Sequence, residues 1–274
     1  MDALAPVRTR QPDLLRPFRF LLRLPLLLLL IVAGLLLTLV VSNPVTGKRG
    51  LLPLAWWEPL VHLWSRLMLR LFGFRTRVFG QAQADPVLFV ANHVSWLDIE
   101  TLHAVRGASF VAKAEIARWP LVGWLAAQAG TLFHRRGDTA SLARVMDVMR
   151  QRLAAGQSVV VFPEGGTGRG DHVRAFHARI FQVALDTGVP VQPVALRYGR
   201  DGRMDLSVPF QPGEKFLPNA LRLLGQRAMD AEIHFLPVLS AADAGDGRRR
   251  LAEESRARIA AVLYGDPGDG RGGG

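Results

Sequence analysis

From Leu26 to Val41 every residue is apolar except Thr38. A run of this kind satisfies its backbone polar groups only by forming a helix when no water is at hand. Almost no position offers a polar face, so it does not suit the buried helix of a soluble domain. With Leu24 and Pro25 it is just long enough to cross a bilayer, which takes about 17–25 residues. A cleaved signal peptide fits the basic residues in front of it. It does not fit the length of the run or the sequence Leu39-Val40-Val41-Ser42-Asn43, which has no small-x-small cleavage site.

The charge of the chain gathers around this run. Residues 1–80 hold eleven Lys or Arg against three acids, so most of the net charge of +11 lies there. A turn-like stretch with Pro44 and Gly47 leads into Leu51 to Phe72. There Glu58, His62, Arg66 and Arg70 recur every four residues, with Trp56, Leu60, Leu63, Leu67 and Leu71 on the other side. Such an amphipathic helix suits the headgroup region or its own domain, through different faces. Cations flank the apolar run on both sides, which favours a hairpin within one leaflet over a single crossing. The expected order is therefore a basic segment (1–23), a membrane-associated helical hairpin (24–72) and a catalytic domain (73–264). A Gly-rich tail (265–274), expected to be disordered, ends the chain. Membrane lipid is the expected partner, each cation near anionic lipid adding about 1 kcal/mol. No nucleic-acid motif accompanies the charge, so nucleic acid is not expected as a partner.

Beyond residue 80 short apolar runs alternate with helical patterns. Strands are expected at Val87–Ala91, Ala108–Lys113, Gly130–Arg136, Ser158–Phe162, Val191–Leu196 and Ala231–Leu236. Helices are expected at 99–105, 115–127, 140–155, 175–187 and 248–264, with Asp138 or Thr139 capping the third. Residues 73–83 read as a connector. This alternation predicts an α/β fold with a mostly parallel central sheet flanked by helices, carrying the N-terminal hairpin.

Candidate chemistry lies where these strands end. His93 follows Val87–Ala91, and Asp98 follows five residues later. If Val94 to Leu97 curl as one turn, the carboxylate accepts from one ring nitrogen and leaves the other as a base. The pair alone is a weak signal, since a His at a strand end commonly serves structure. The chain has no Cys, and no Gly-x-Ser-x-Gly, so no covalent nucleophile presents itself. His93, His134, His172 and His177 lack metal-ligand spacing, and no metal or cofactor is expected. Glycines at 165, 166, 168 and 170 fit neither nucleotide-loop pattern, yet their amides, with the Thr167 hydroxyl, suit an anion.

Four stretches in order add specificity. Asn92-His93-Val94-Ser95-Trp96-Leu97-Asp98 resembles the His-x4-Asp block of the glycerolipid acyltransferases, and the chain is most similar to the 1-acylglycerol-3-phosphate O-acyltransferase (lysophosphatidate acyltransferase) family. Gly130 to Arg136 resembles the family's Gly-x-x-Phe-Ile-Asp-Arg block. Phe162-Pro163-Glu164-Gly165 matches the start of its Phe-Pro-Glu-Gly-Thr-Arg-Ser block, and Val189 to Val194 resembles its Val-Pro-x-x-Pro-Val block. The resemblance covers residues 75–200.

It implies that His93 and Asp98 are catalytic. Lys113, Arg136, Glu164 and Gly165, with Thr167 beside them, would bind the acceptor's headgroup. The implied reaction moves a fatty acyl group from a thioester, acyl-CoA or acyl-carrier protein, to the hydroxyl of a lysophospholipid. The family's acceptor is 1-acyl-sn-glycerol-3-phosphate, giving phosphatidic acid. The hairpin reading of residues 24–72 would keep the catalytic domain near cytoplasmic thioester donors, so the expected location is the cytoplasmic (inner) membrane with that domain facing the cytoplasm. Two departures stand out. Arg135 replaces the acid of the second block, and Gly166-Thr167-Gly168 lacks the arginine of the third, for which Arg169 or Arg174 can substitute. Another acceptor, such as a lyso-ornithine lipid, is therefore an alternative. So are a hydrolase on the same fold and a non-catalytic lipid-binding membrane protein.

Overall fold

The computed structural model describes residues 13–41, 54–240 and 247–265. The expected turn at Pro44 and Gly47 and the Gly-rich tail from residue 266 lie outside the described residues, as does most of the basic N-terminal segment.

Helix α1 (Arg16–Val41) runs through Pro25, and α2 (Leu54–Leu71) packs antiparallel against it. Trp64 marks the contact: its indole donates to the Leu30 carbonyl at 3.4 Å and covers Gly34. Residues 16–39 are long and apolar enough to cross a membrane. Part of the polar stripe of α2 reaches the catalytic domain, although Glu58, Arg66 and Arg70 stay exposed. Arg66 Nε donates to the Ala104 carbonyl at 2.7 Å, Glu58 lies against Gly107, and Ser65, beside the stripe, donates to Glu100 at 2.8 Å. Met68, Leu69 and Phe72 are buried, while Leu63 and Leu67 face outward. The helix is thus fastened to the catalytic domain by apolar and polar side chains, and leaves Leu63 and Leu67 exposed.

The chain then enters β1 (Phe74–Phe79), β2 (Leu88–Ala91), α3 (Leu97–His103) and β3 (Ser109–Lys113). A 3₁₀ turn (Ala114–Arg118), α4 (Val122–Gln128), β4 (Leu132–His134) and α5 (Thr139–Ala154) follow. Next come β5 (Val159–Val161), a 3₁₀ turn (Ala178–Phe181) continuing into α6 (Gln182–Thr187), and β6 (Val191–Arg200). The last elements are β7 (Arg203–Met204), α7 (Phe216–Leu224), β8 (Met229–Phe235) and α8 (Gly247–Tyr264). The sheet runs β1-β8-β6-β2-β5-β3-β4, with β7 on β6. Among the described residues, only β6 pairs antiparallel with other strands, β7 and β8; the other strand pairings are parallel. The expected α/β architecture is therefore the observed one.

Strand alternation divides β2 between two cores. Leu88 and Val90 meet Val145, Met149 and Leu153 of α5, with Val183 and Ala184 of α6. Phe89 and Ala91 meet Leu102 of α3, with Ile233 and Phe235 of β8. Fully burying one such side chain contributes about 1.5–3 kcal/mol. Asp138 caps α5 by accepting from the Ser141 amide at 2.9 Å, which decides between the two expected caps.

Three expectations change. Residues 73–83 are not merely a connector, because Phe74–Phe79 is the edge strand beside β8. The helix expected over 115–127 is broken at Trp119-Pro120 into the 3₁₀ turn and α4, where Trp119, the residue before the proline, is extended. The helix expected from 175 starts at Ala178, because the His177 amide donates to the Pro163 carbonyl at 2.9 Å instead.

Candidate active site

Four neighbouring parallel strands, β2, β5, β3 and β4, end at one edge of the sheet, where side chains of open α/β folds meet their ligands. Each ends in a residue singled out from the sequence. His93 lies just past β2, Glu164 past β5, Lys113 closes β3, and Arg136 lies past β4. Topology alone brings together residues from blocks up to 71 positions apart.

The His-x4-Asp turn is held from behind. Asn92 is buried and exchanges two hydrogen bonds with Leu196 of β6, at 3.0 and 2.8 Å, which fixes the end of β2. The chain turns into α3, so that Asp98, fully buried, faces back toward His93. Asp98 Oδ2 lies 2.6 Å from His93 Nδ1 and accepts from the Val94 and Ser95 amides at 2.7 and 3.0 Å. Its Oδ1 accepts from the Tyr198 hydroxyl at 2.7 Å. An ionised carboxylate only accepts, so Nδ1 carries the ring proton and Nε2 of the neutral ring is left as a base. The imidazole stacks on Phe162 at 4.1 Å and is 16% exposed, so it is screened without being sealed.

Tyr198 was not singled out in the sequence. It sits on β6, fully buried, and touches Thr101 as well as Asp98. Burial, with the Asp98 charge next to it, pushes its phenol well above the usual value. It is therefore a fixed donor at any working pH.

The second half of the site is cationic. The Glu164 carboxyl is buried; Oε1 accepts from the His93 amide at 2.8 Å, and Oε2 accepts from Arg174 Nε at 3.1 Å. Arg174 also donates to the Gly166 carbonyl. It is thus the guanidinium of this loop, while Arg169 is exposed. The Gly168 amide donates to the His93 carbonyl at 2.6 Å, closing the loop onto the His-x4-Asp turn. Gly165 has φ +70°, which favours glycine, and a side chain at Gly166 would stand 3.1 Å from Arg136 Nη1. The loop therefore lies directly against Arg136. Desolvation, opposed by Glu115 and assisted by Arg174, holds the Arg136 guanidinium below its ordinary value. Lys113 is exposed and pairs with Glu115 at 3.2 Å. Thr167 is half-buried on the same loop. All seven sequence-selected residues thus lie along one edge. Glu115 and Arg174 join them as the partners that moderate its charge.

Comparison with known proteins bears on this edge. The acyltransferase family model matches residues 75–197, from β1 to β6. The lyso-ornithine lipid O-acyltransferase of Pseudomonas aeruginosa is 39% identical over 208 residues, covering 76% of this chain and 80% of the relative. The chain belongs to the acyltransferase family. The 1-acyl-sn-glycerol-3-phosphate acyltransferase of Neisseria gonorrhoeae is 36% identical over 183 residues, covering 66% of this chain and 71% of that protein. In fold, the chain resembles the crystal structure of the 1-acyl-sn-glycerophosphate (LPA) acyltransferase from Thermotoga maritima. The TM-score is 0.63 at 18% identity, over 92% of this chain and 98% of that one. The chain is accordingly a lysophospholipid-type O-acyltransferase, and its apolar N-terminal helix fits membrane association.

Proposed function

We propose that His93 and Asp98 catalyse acyl transfer from a thioester to the hydroxyl of a membrane lysolipid whose headgroup is held by Lys113, Arg136 and the Glu164–Thr167 loop. The observation that carries the chemistry is the 2.6 Å contact between His93 Nδ1 and a buried Asp98 bound by three further donors. His93 Nε2 takes the proton of the acceptor hydroxyl as that oxygen attacks the thioester carbonyl. Asp98 holds the imidazolium so formed. The tetrahedral intermediate expels the thiolate, which receives the proton, and the ester and free thiol leave. Positioned general-base catalysis contributes about 10²–10⁴-fold. The donor is acyl-CoA or acyl-carrier protein, and no cofactor takes part.

The acceptor reading turns on charge. Arg174 is already shared with Glu164, and Lys113 with Glu115. Such a partly neutralised set suits a headgroup that pairs an anion with an ammonium, as ornithine does, better than a bare phosphate. A lyso-ornithine lipid is therefore the first reading, and the relative from Pseudomonas aeruginosa supports it. The second is 1-acyl-sn-glycerol-3-phosphate, giving phosphatidic acid in phospholipid biosynthesis, favoured by Arg136 at the loop and by the Neisseria relative. We place the enzyme at the cytoplasmic membrane, with α1 and α2 as a hairpin in one leaflet and the catalytic domain facing the cytoplasm, where thioester donors are found. The test is mass spectrometry of products from the purified protein given both lysolipids with either donor. Acylation of lysophosphatidate alone would reverse the order of the two acceptors. Release of free fatty acid alone would replace the transferase reading by a hydrolase.

A further inference from the structure

On the side of the catalytic domain next to α1, two exposed apolar surfaces stand together. One is the loop Trp119-Pro120-Leu121-Val122, between the 3₁₀ turn and α4; Trp119, Leu121 and Val122 are all exposed. The other is the outer face of α7, where Leu217 and Leu221 are one turn apart and also exposed, Leu217 at 62%. Trp119 packs on Phe216 at the start of α7, with ring centroids 5.2 Å apart, which joins the two surfaces. Both α4 and α7 touch α1. The patch therefore runs on into the exposed face of α1, which is apolar from Phe18 to Leu39. Arg118 and Lys215 stand exposed at its margin.

The loop tip carries a second signal. Leu121 has φ +62°, a conformation that glycine adopts freely and a bulky side chain does not. Such strain persists where the surroundings impose it, and it concentrates at sites of function. Here it holds a leucine at the point of a loop with its side chain half-exposed.

We propose that the Trp119–Val122 loop and the outer face of α7 insert into the same lipid leaflet as α1 and form a second membrane contact, made by the catalytic domain itself. This rests on the reading of the enzyme as membrane-bound. A leaflet, and not a protein, is the occupant because the patch has no edge toward α1. Any partner that covered it would have to cover α1 too, whose apolar run meets the requirements of a membrane span. The marginal cations suit anionic headgroups. The contact also bears on the reaction. Phe216 packs on Trp96 of the His-x4-Asp turn at 5.4 Å, and the Trp96 indole donates to Asn219 of α7 at 3.0 Å. A leaflet that receives α7 is thereby held in register with His93, so that an acceptor hydroxyl meets the base without leaving the bilayer.

The absence of native cysteine allows a direct test on the full-length protein. Single nitroxide labels at Leu121→Cys and Leu217→Cys are compared with Leu28→Cys in α1 and Gln151→Cys in α5, on vesicles of phosphatidylethanolamine and phosphatidylglycerol. Collision with oxygen and with a water-soluble nickel chelate then reports depth. Labels at 121 and 217 are expected to be shielded from nickel several-fold relative to 151 and to gain access to oxygen, as at 28. If 121 and 217 are as open to nickel as 151 while 28 is shielded, the second contact does not exist, although α1 is in the membrane. If 28 is also open, the membrane reading itself fails and the proposal falls with it. The two probes lie in separate elements at exposed positions, so one misfolded variant does not decide the outcome.

Discussion

The two halves of the active edge are built on opposite principles. At the His93 end Asp98 is fully buried and receives four hydrogen bonds, from a ring, two amides and a phenol. At the Arg136 end the charges are part-exposed, and Lys113 and Arg174 share theirs with nearby acids. The first arrangement has one geometry and tolerates little change. The second adjusts its charge through the side chains that line it. On the proposed reading, the chemistry belongs to the buried half and the choice of headgroup to the open half. One family can then hold relatives named for different acceptors, such as those from Pseudomonas aeruginosa and Neisseria gonorrhoeae, on one fold.

The comparison breaks most severely at His93. His93→Ala should lower kcat by about 10²–10⁴-fold, the range for loss of a positioned base, with the acceptor's KM nearly unchanged. Asp98→Asn should be comparably impaired, because an amide places an N–H where only acceptors are wanted. Steady-state rates on purified protein in lipid vesicles decide this. A turnover near that of the parent for His93→Ala would remove the base from the mechanism.

Arg136→Ala tests the open half. It should raise the acceptor's KM by about tenfold, equivalent to ~1.4 kcal/mol, and leave the donor's KM within a factor of about two. Glu115→Gln should act in the opposite direction on lysophosphatidate, since it frees Lys113 and Arg136 for a second negative charge, and should weaken a headgroup bearing an ammonium. Competition between the two lysolipids reads the ratio directly. A ratio unmoved by both variants would mean that headgroup choice lies elsewhere.

The two halves were not equally legible in the sequence. Blocks of apolar residues announced the central strands, and polar residues at their ends announced His93, Lys113, Arg136 and Glu164. Parallel order then placed them at one edge. Features that depend on distant pairing left no local trace. Residues 74–79, Phe-Arg-Thr-Arg-Val-Phe, form a strand because β8, some 155 positions later, lies alongside. Helix α7 escaped notice because Pro218 stands in its first turn and its one buried polar residue, Asn219, serves Trp96. Tyr198 looked like any aromatic in a buried strand, since its partner lies 100 residues away. The contacts of Glu58 and Arg66 with the catalytic domain left no trace either: spacing shows that a stripe exists, not what it touches.

Tyr198→Phe sharpens the picture of the buried half. It keeps the ring that fills the core beside Phe74 and removes the hydroxyl, and with it the donor to Asp98 and the contact with Thr101. Hydrogen bonds to charged groups contribute about 1.5–3 kcal/mol, and part of this loss should be recovered as Asp98 relaxes. The expected result is a fall in kcat of about tenfold, corresponding to ~1.4 kcal/mol, with both KM values unchanged. A change in KM instead would make Tyr198 part of a binding surface and not a positioning residue.

The smallest expected effect compares two acids on one helix. Asp98 and Glu100 both sit on α3, but Glu100 has a single hydroxyl donor, Ser65 of α2, where Asp98 has four donors. Burial against α2 pushes the Glu100 carboxyl from 4.5 to about 7, and the Ser65 hydrogen bond only partly opposes this. A carboxyl raised on folding favours the folded state most at low pH, where it is protonated in both states. That advantage is lost as pH rises from about 4.5 through about 7, because the unfolded chain ionises first. Glu100→Gln keeps a neutral partner for Ser65 and abolishes the titration. Its unfolding midpoint in detergent should therefore match the parent near pH 4 and exceed it by a few degrees at pH 8, while kcat at neutral pH stays within a factor of about two. Parallel midpoints across this range would show that Glu100 ionises freely. The α2–α3 junction would then be as adjustable as the cationic end of the site, and the fixed half of the enzyme would stop at Asp98.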